Sequence, residues 1–424
     1  MTCVSAEDTE AEPDVGEPTS TAVPLTEPRD GVPAPLIEPA ELARAVEVLA
    51  VGAGPVAVDA ERASGYRYGQ AAYLVQLRRA DLGTVLIDPR ALPDLEALGT
   101  AIGADEWVLH AASQDLPCLA ELGMRPARIF DTELAGRLLG YPRVGLGAIV
   151  EEVLGLSLEK GHSAADWSTR PLPEPWLRYA ALDVEVLVEL RDALAAQLDE
   201  QGKRAWAEEE FAAIVAAAPA PPRVEPWRRT SGLHRVRKRR QLAVVRALWE
   251  RRDEVARRRD IAPGRVLPDS AIVAAALAVP RTEDELVALP VWGGRSMRRQ
   301  TATWLPAIAA AMEVPEGDLP ALKTQHEGPP PARSWPERDP AAAARLAAAR
   351  AAVGAVAADL RLPVENLVAP DSVRRLCWDP PTDLDESVVG AFLREHGARP
   401  WQVELTAAVL VDALTRAAEL PPGG

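Results

Sequence analysis

The apolar run Val56-Ala57-Val58 leads straight into two acids, Asp59 and Glu61, set one residue apart. Alternate residues of a strand share a side, so both carboxylates fall on one face. Like charges on one face repel, and removing them from water is costly. A chain that buries this strand has to neutralise its far end. A hard cation does so, because Mg²⁺ and Mn²⁺ take carboxylate oxygens. An exposed strand end that is simply acidic is the ordinary alternative.

The flanking sequence predicts an α/β domain with a mixed sheet over residues 36–205. Helical period covers 39–50, and strand patterns cover 56–60, 72–79 and 83–90. Their short connections predict an antiparallel meander. A helix at 92–102, a strand at 106–112, a helix at 114–123, a short strand at 127–132 and helices at 133–140 and 145–155 follow. A long helix is expected over 173–202.

Residues 1–35 are rich in Glu, Pro and Thr and are expected to be a disordered acidic tail. Residues 216–230 read as a Pro/Ala linker, 231–314 as a helical unit, 315–339 as a second linker and 340–418 as another helical unit of similar size. The 424 residues fit two to four domains at roughly 100–200 residues each.

The net charge of -16 argues against a nucleic-acid partner only on average. Residues 1–30 carry eight acids and one base, whereas 227–259 carry thirteen bases and three acids, a local net of +10. A partner within about 8–10 Å feels that block rather than the mean. Cys3, Cys118 and Cys377 are far apart and form no disulfide framework, so a reducing cytoplasm is expected. The first residues are not basic-then-apolar, so no signal peptide is expected. No apolar run is expected to reach the roughly 18 residues that span a bilayer. Abundant Ala, and Arg in place of Lys, reads as the codon bias of a GC-rich bacterial genome.

Two more acids join the first pair. In "YAALD", Tyr179 and Asp183 are four apart and share a helix face. In "HAASQD", Asp115 opens a helix directly after a strand. Taken singly, Asp183 reads as a solvated acid and Asp115 as a helix-capping one. Together, four carboxylates at strand ends and helix starts of one domain can hold two divalent ions, roughly 3.5–4 Å apart, for an in-line phosphoryl displacement.

The order D-x-E, then H-x4-D, then Y-x3-D resembles the DEDD superfamily of 3′–5′ exonucleases, in its tyrosine-bearing branch. The sister branch has His five residues before the last Asp, where this chain has Arg178. "LHAASQDLPCL" (109–119), "FDTELAGRLLG" (130–140) and "SAADWSTRPLPEPWLRYAALDVEVL" (163–187) are similar to segments of the ribonuclease D family. The resemblance covers about 36–205. It implies a ribonuclease H-like sheet. More loosely, it extends to a helicase-and-ribonuclease-D C-terminal (HRDC) domain over 231–314 and a degraded second copy over 340–418.

By that resemblance Asp59, Glu61 and Asp183 hold the metal that activates water. Asp59 bridges to a second metal, Asp115 supports that one, and Tyr179 orients or deprotonates the water. A phenol of pKa near 10 is a poor base at neutral pH, which favours orientation. Two Mg²⁺ or Mn²⁺ ions and an RNA with a free 3′ end are the implied cofactors and substrate, with transfer-RNA precursors the first RNA to test. A DNA-directed exonuclease of the same superfamily and a non-catalytic RNA-binding protein are the alternatives. Ala60 stands where the family often has Thr, on the face opposite the acids.

Gly52-x-Gly54 precedes a strand and lacks a third glycine, so it makes no dinucleotide fingerprint. Five scattered histidines make a zinc site a poor expectation, and His110 reads as structural. The stretch 228–260 combines bases with Leu242, Val245, Leu248 and Trp249 at helical spacing. It is either a solvated helix face or a strip for phosphates.

Overall fold

The computed structural model describes residues 22–80, 82–159, 161–162, 164–219, 221–323 and 328–419. The first domain contains β1 (Val23–Leu25), α1 (Pro39–Val51), β2 (Val56–Arg62), β3 (Ala72–Arg79), β4 (Gly83–Ile87), α2 (Glu96–Ile102), β5 (Glu106–Leu109), α3 (Leu116–Glu121) and β6 (Arg128–Asp131). It continues with α4 (Thr132–Leu139), α5 (Leu146–Leu154), β7 (Leu156–Leu158), α6 (Glu174–Glu185), α7 (Leu187–Glu200) and α8 (Arg204–Ala216).

The central sheet has the order β4-β3-β2-β5-β6. The pairs β2/β3 and β3/β4 are antiparallel, as the short connections predict, and β2/β5 and β5/β6 are parallel. β2 is central and its run Val56–Val58 is fully buried. One face, with Val56, Val58, Val75, Leu77 and Ile87, joins a core that includes Leu95, Leu98 and Ile102. The other face, with Ala57, Leu74 and Leu86, packs beneath Ala180, Val184 and Leu187.

Several boundaries differ from the sequence expectations. The acidic tail ends sooner than 35. Leu25 and its neighbours pair in parallel with β7, a strand the sequence did not announce. Glu27 reaches Arg178, Asp30 reaches Arg78, and Arg29 bridges Glu185 and Glu189. The tail's acids thus bind bases scattered along the domain, a complementarity composition cannot display. Residues 1–21 lie outside the described residues.

The expected helix over 173–202 breaks at Val186, with φ -104° and ψ -5°. The break lets α6 lie over β2–β4 while α7 turns to β5, α4 and α5. The domain also runs beyond 205: Phe211 of α8 packs 5.0 Å from Phe130 of β6, so the first linker begins later than 216.

Two helical units follow. The first contains α9 (Arg239–Arg259), α10 (Pro263–Val266), α11 (Asp269–Ala278), α12 (Glu283–Val287), α13 (Arg295–Arg298) and α14 (Thr301–Glu313), around its own core with Trp292 and Trp304. The second contains α15 (Trp335–Arg338), α16 (Pro340–Asp359), α17 (Val364–Leu367), α18 (Pro370–Trp378), α19 (Glu386–Glu395) and α20 (Pro400–Glu419). Trp335 is fully buried, so the end of the expected linker over 315–339 belongs to this unit.

The second unit shares a continuous core with the α/β domain. Trp401 stacks on Trp206 at 5.1 Å, and Lys203 donates to the carbonyls of Leu138 and Leu360. α16 is long and apolar enough to cross a membrane, with mean hydropathy 1.4 over its best window, which corrects the expectation of no such run. It instead buries Leu346, Ala349, Val353 and Ala357 and carries Arg345 and Arg350.

Candidate active site

The register of β2 against β3 sets Asp59 opposite Gln76 and Glu61 opposite Leu74, and slips directly after Glu61. Such an irregularity ends the ladder and re-aims the side chains beside it. α6 crosses over this face and brings Asp183 to the two acids. Asp59, Glu61 and Asp183 each offer an oxygen, and all three lie within 4.8 Å of one another. The loop after β5 delivers Asp115 to within hydrogen-bonding reach of Asp59. Tyr179, one turn before Asp183, is within hydrogen-bonding reach of it. All five residues predicted from sequence line one cleft of about 520 Å³, together with Arg62, His110, Gln114 and Glu159.

The ordinary reading of Asp115 is not realised, because its side chain caps no helix N–H. Its carboxylate lies 3.5 Å from the Arg62 guanidinium and beside Asp59. Asp59 and Glu61 are half-buried rather than a fully solvated strand end. Burial lifts both above the ordinary carboxylate range, and for Glu61 the charges of Asp59, Asp183 and Asp115 add to the lift. Burial and the Asp59 charge push Asp115 up to about 8 and raise Asp183 well above its usual value. Arg62 offsets part of this at Asp59, Glu61 and Asp115.

Several acids crowded into one cleft hold too much negative charge for a single arginine. The donor set is all oxygen, which suits a hard divalent ion. Asp59, Glu61 and Asp183 are the residues that would hold it.

Three positioning devices escaped the sequence reading of individual residues. Asp131 caps α4 by accepting from the N–H groups of Glu133 and Leu134, and it also accepts from those of Ala111 and Ala112. This one carboxylate fixes the turn that carries Asp115, where Ala111 takes a left-handed φ of 60°. A strand-end Asp before "TELAG" was a capping signal in the sequence; its reach to 111–112 was not.

Arg170 forks onto Asp88 at 2.6 and 2.8 Å and also donates to the carbonyls of Tyr73, Trp167 and Thr169. It ties the segment before α6 to the sheet and seats the fully buried Trp167 behind Tyr179. His110 rests its Nδ1 2.9 Å from the Thr132 hydroxyl, and burial pushes its imidazole down to about 4. It is therefore neutral at pH 7.

The basic stretch is not one strip. Arg239 and Arg240 donate to carbonyls near α14, Arg252 pairs with Asp269, and Arg251 pairs with Glu254. Arg235, Arg237 and Lys238 lie exposed at one end of α9 and Arg258 and Arg259 at the other. A helix of this length separates them by about 30 Å. The latter pair neighbours the loop that leaves Glu61: Tyr68 bonds Asp253 and Arg257, and Arg265 lies 4.0 Å over the Tyr66 ring.

Comparison with known proteins agrees with this architecture. The family model described as 3′-5′ exonuclease matches residues 36–199, and the HRDC domain model matches 241–308. Residues 328–414 match a model described as 3′ to 5′ exonuclease C-terminal domain, which replaces the expectation of a second HRDC copy. Its extensive core against the α/β domain, which the HRDC unit lacks, is the physical difference between the two.

Ribonuclease D of Gluconacetobacter diazotrophicus is 34% identical over 285 residues, covering 65% of this chain and 71% of the relative. That of Granulibacter bethesdensis is 33% identical over 281 residues, covering 64% and 70%. Among solved structures, a protein from Bifidobacterium adolescentis superposes with a TM-score of 0.85 at 40% identity, over 93% of this chain and 100% of that one. Escherichia coli RNase D, described as an exoribonuclease involved in structured RNA processing, gives 0.65 at 26% identity, over 90% and 98%. Fold and comparisons thus define a hydrolytic 3′–5′ exonuclease. The chain belongs to the ribonuclease D family.

Proposed function

We propose that the protein is a cytoplasmic, divalent-metal-dependent exoribonuclease that removes nucleoside monophosphates one at a time from RNA 3′ ends, with transfer-RNA precursors as substrate. The observation that carries this reading is the convergence of Asp59, Glu61 and Asp183 within 4.8 Å, with Asp115 beside Asp59.

Asp59, Glu61 and Asp183 would hold one ion, and Asp59 with Asp115 a second. Such a pair supplies positive charge to both the attacking and the leaving oxygen of the displacement. Tyr179 acts as a hydroxyl, not a phenolate: burial and the Asp183 charge raise its pKa above the ordinary phenol value. Its O–H lies beside Asp183 and sets the orientation of the attacking water rather than removing its proton. That water forms the new P–O bond, the bond to the O3′ of the preceding nucleotide breaks, and that oxygen leaves as a hydroxyl. Neutral His110 contributes no charge. Arg62, at the mouth of the cleft, is placed to meet a phosphate oxygen.

The test is hydrolysis of end-labelled single-stranded RNA, single-stranded DNA and a 3′-extended transfer RNA, each with Mg²⁺, Mn²⁺ or EDTA. Stepwise release of monophosphates from the RNA 3′ ends, abolished by EDTA, is expected. Faster DNA cleavage would replace RNA as the substrate, and binding without cleavage in any metal would remove the enzymatic reading.

A further inference from the structure

Gln76 places a side-chain amide on the sheet face that carries the acids. It is fully buried in the middle of β3, directly opposite Asp59 in the β2/β3 ladder. Cross-strand partners of this kind hold their Cβ atoms about 4.5–5.5 Å apart. Neither its amide nitrogen nor its amide oxygen has a hydrogen-bond partner among the described residues.

The surroundings make this unusual. Along the same face of β3, Leu74 packs beneath Ala180, and Arg78 is held by Glu185 at 3.0 Å and by Asp30 at 2.9 Å. Beside it, Ala57 packs against Val184 and Leu187. Leu or Met would fill this layer at no polar cost, whereas a buried amide left unpaired is destabilising. Glu185 lies at ion-pair distance from Arg78 and Arg29, 3.0 and 3.7 Å, although neither of its oxygens has a hydrogen-bond partner among the described residues. Asp59 lies beside Asp115 and feels the charge of Arg62, and its neighbour across the strand is the unpaired amide.

We propose that Gln76 is a positioning residue for Asp59. When the cation site is filled, the Gln76 side-chain N–H donates to a carboxylate oxygen of Asp59 and fixes the rotamer in which Asp59 faces the ion. The inference rests on the metal reading above and goes beyond it, because it assigns a residue that touches neither ion nor RNA. Partners of this kind in the shell around ligating side chains change metal affinity by about 10–100-fold when removed.

The experiment measures Mn²⁺ affinity of the full chain by the electron paramagnetic resonance of free Mn²⁺, alongside thermal unfolding in EDTA. The variants are Gln76→Met, which keeps length and apolar volume, and Gln76→Leu should the first fail to fold. Expected is Mn²⁺ binding weakened about 10–100-fold, with the EDTA melting temperature equal to or above wild type and KM for RNA unchanged. A purely structural glutamine, bonded to a buried water, would instead lower the EDTA melting temperature and leave the affinity intact; that result overturns the proposal. If the wild-type protein itself binds no Mn²⁺, the metal reading falls, and this inference with it. If wild type and variant bind equally well, this inference alone falls.

Discussion

Asp115, at the start of α3, lies beside Asp59 on β2; the Asp59 charge makes Asp115 harder to ionise, whereas the Asp115 carboxyl eases ionisation of Asp59, whose own rise comes from burial. The parallel β2/β5 pairing makes them neighbours, since β5 runs beside β2 and its following turn opens towards the end of the same strand. The contact is unfavourable between two charges and favourable around a cation. The site is therefore built for a ligand at the expense of the empty protein.

Neutralising one acid separates stability from activity. Asp59→Asn and Asp183→Asn are each expected to lower RNA hydrolysis by at least about 10²-fold. In EDTA both should melt at or a few degrees above wild type, because a buried repulsion is relieved and roughly 1 kcal/mol shifts a domain of this size by about 2–4 °C. Hydrolysis rates and calorimetry on the same preparations check it. Activity near wild type in either variant would sink the assignment.

The same repulsion sets a pH dependence. Asp115 titrates near 8 in the folded chain, against 3.8 for its ordinary value. The folded state therefore holds this proton more tightly than the unfolded state. Its stabilising contribution is complete below about pH 4, declines above that, and is gone once pH exceeds about 8. Metal-free protein should lose stability across that window, and added Mn²⁺ should raise the melting temperature more at pH 8 than at pH 5.5. Melting curves in EDTA and in Mn²⁺ at both pH values test the sign.

Tyr179→Phe removes the hydroxyl beside Asp183 and leaves the ring between His162 and Trp167. A misplaced attacking water costs about 10²-fold in kcat, with KM unchanged. Because the phenol stays protonated at every working pH, the variant's pH–rate profile should keep the wild-type shape. Loss of an alkaline limb would mark Tyr179 as a base instead.

Arg170→Ala strips Asp88 of both its guanidinium bonds and frees three carbonyls. Asp88 is largely buried, Arg170 about one-third exposed. A loss of about 2–3 kcal/mol in unfolding free energy is expected from denaturant titration. Arg170→Lys should recover only part of it, since an ammonium cannot fork onto the carboxylate.

Arg258 and Arg259 test the RNA path. The double alanine variant should weaken single-stranded RNA binding and flatten the plot of log affinity against log salt by up to about 1.4, at roughly 0.7 per lost phosphate contact. Arg237 and Lys238, at the distant end of α9, provide the comparison. An unchanged slope for the first pair would remove that end from the RNA path.

Some of this was legible before any coordinates. Hydrophobic period and turn spacing placed every strand of the central sheet, because a buried strand leaves few ways to arrange apolar residues. Local geometry also put Asp59 with Glu61, and Tyr179 with Asp183, on common faces. What stayed hidden were interactions between segments far apart in sequence: Asp30 of the tail on Arg78, Glu27 on Arg178 and Arg29 on Glu185, the pairing of β1 with β7, and the dispersal of the basic block around α9. Charge counts add residues without positions, so they left a solvated face and a phosphate strip both open where the helix exposes bases at two ends.

The sequence by itself determined the strands of the central sheet, most helices and the identity of the acids, because these follow from period, spacing and side-chain chemistry within a few residues. Only the tertiary structure decided that three carboxylates meet within 4.8 Å, that Asp115 joins them instead of capping its helix, and that an unpaired Gln76 lies beneath them. Those facts depend on sheet order, on strand register and on the break between α6 and α7. The free energy that sets them is the packing of distant apolar faces, which overrides the local repulsion of the acids it brings together.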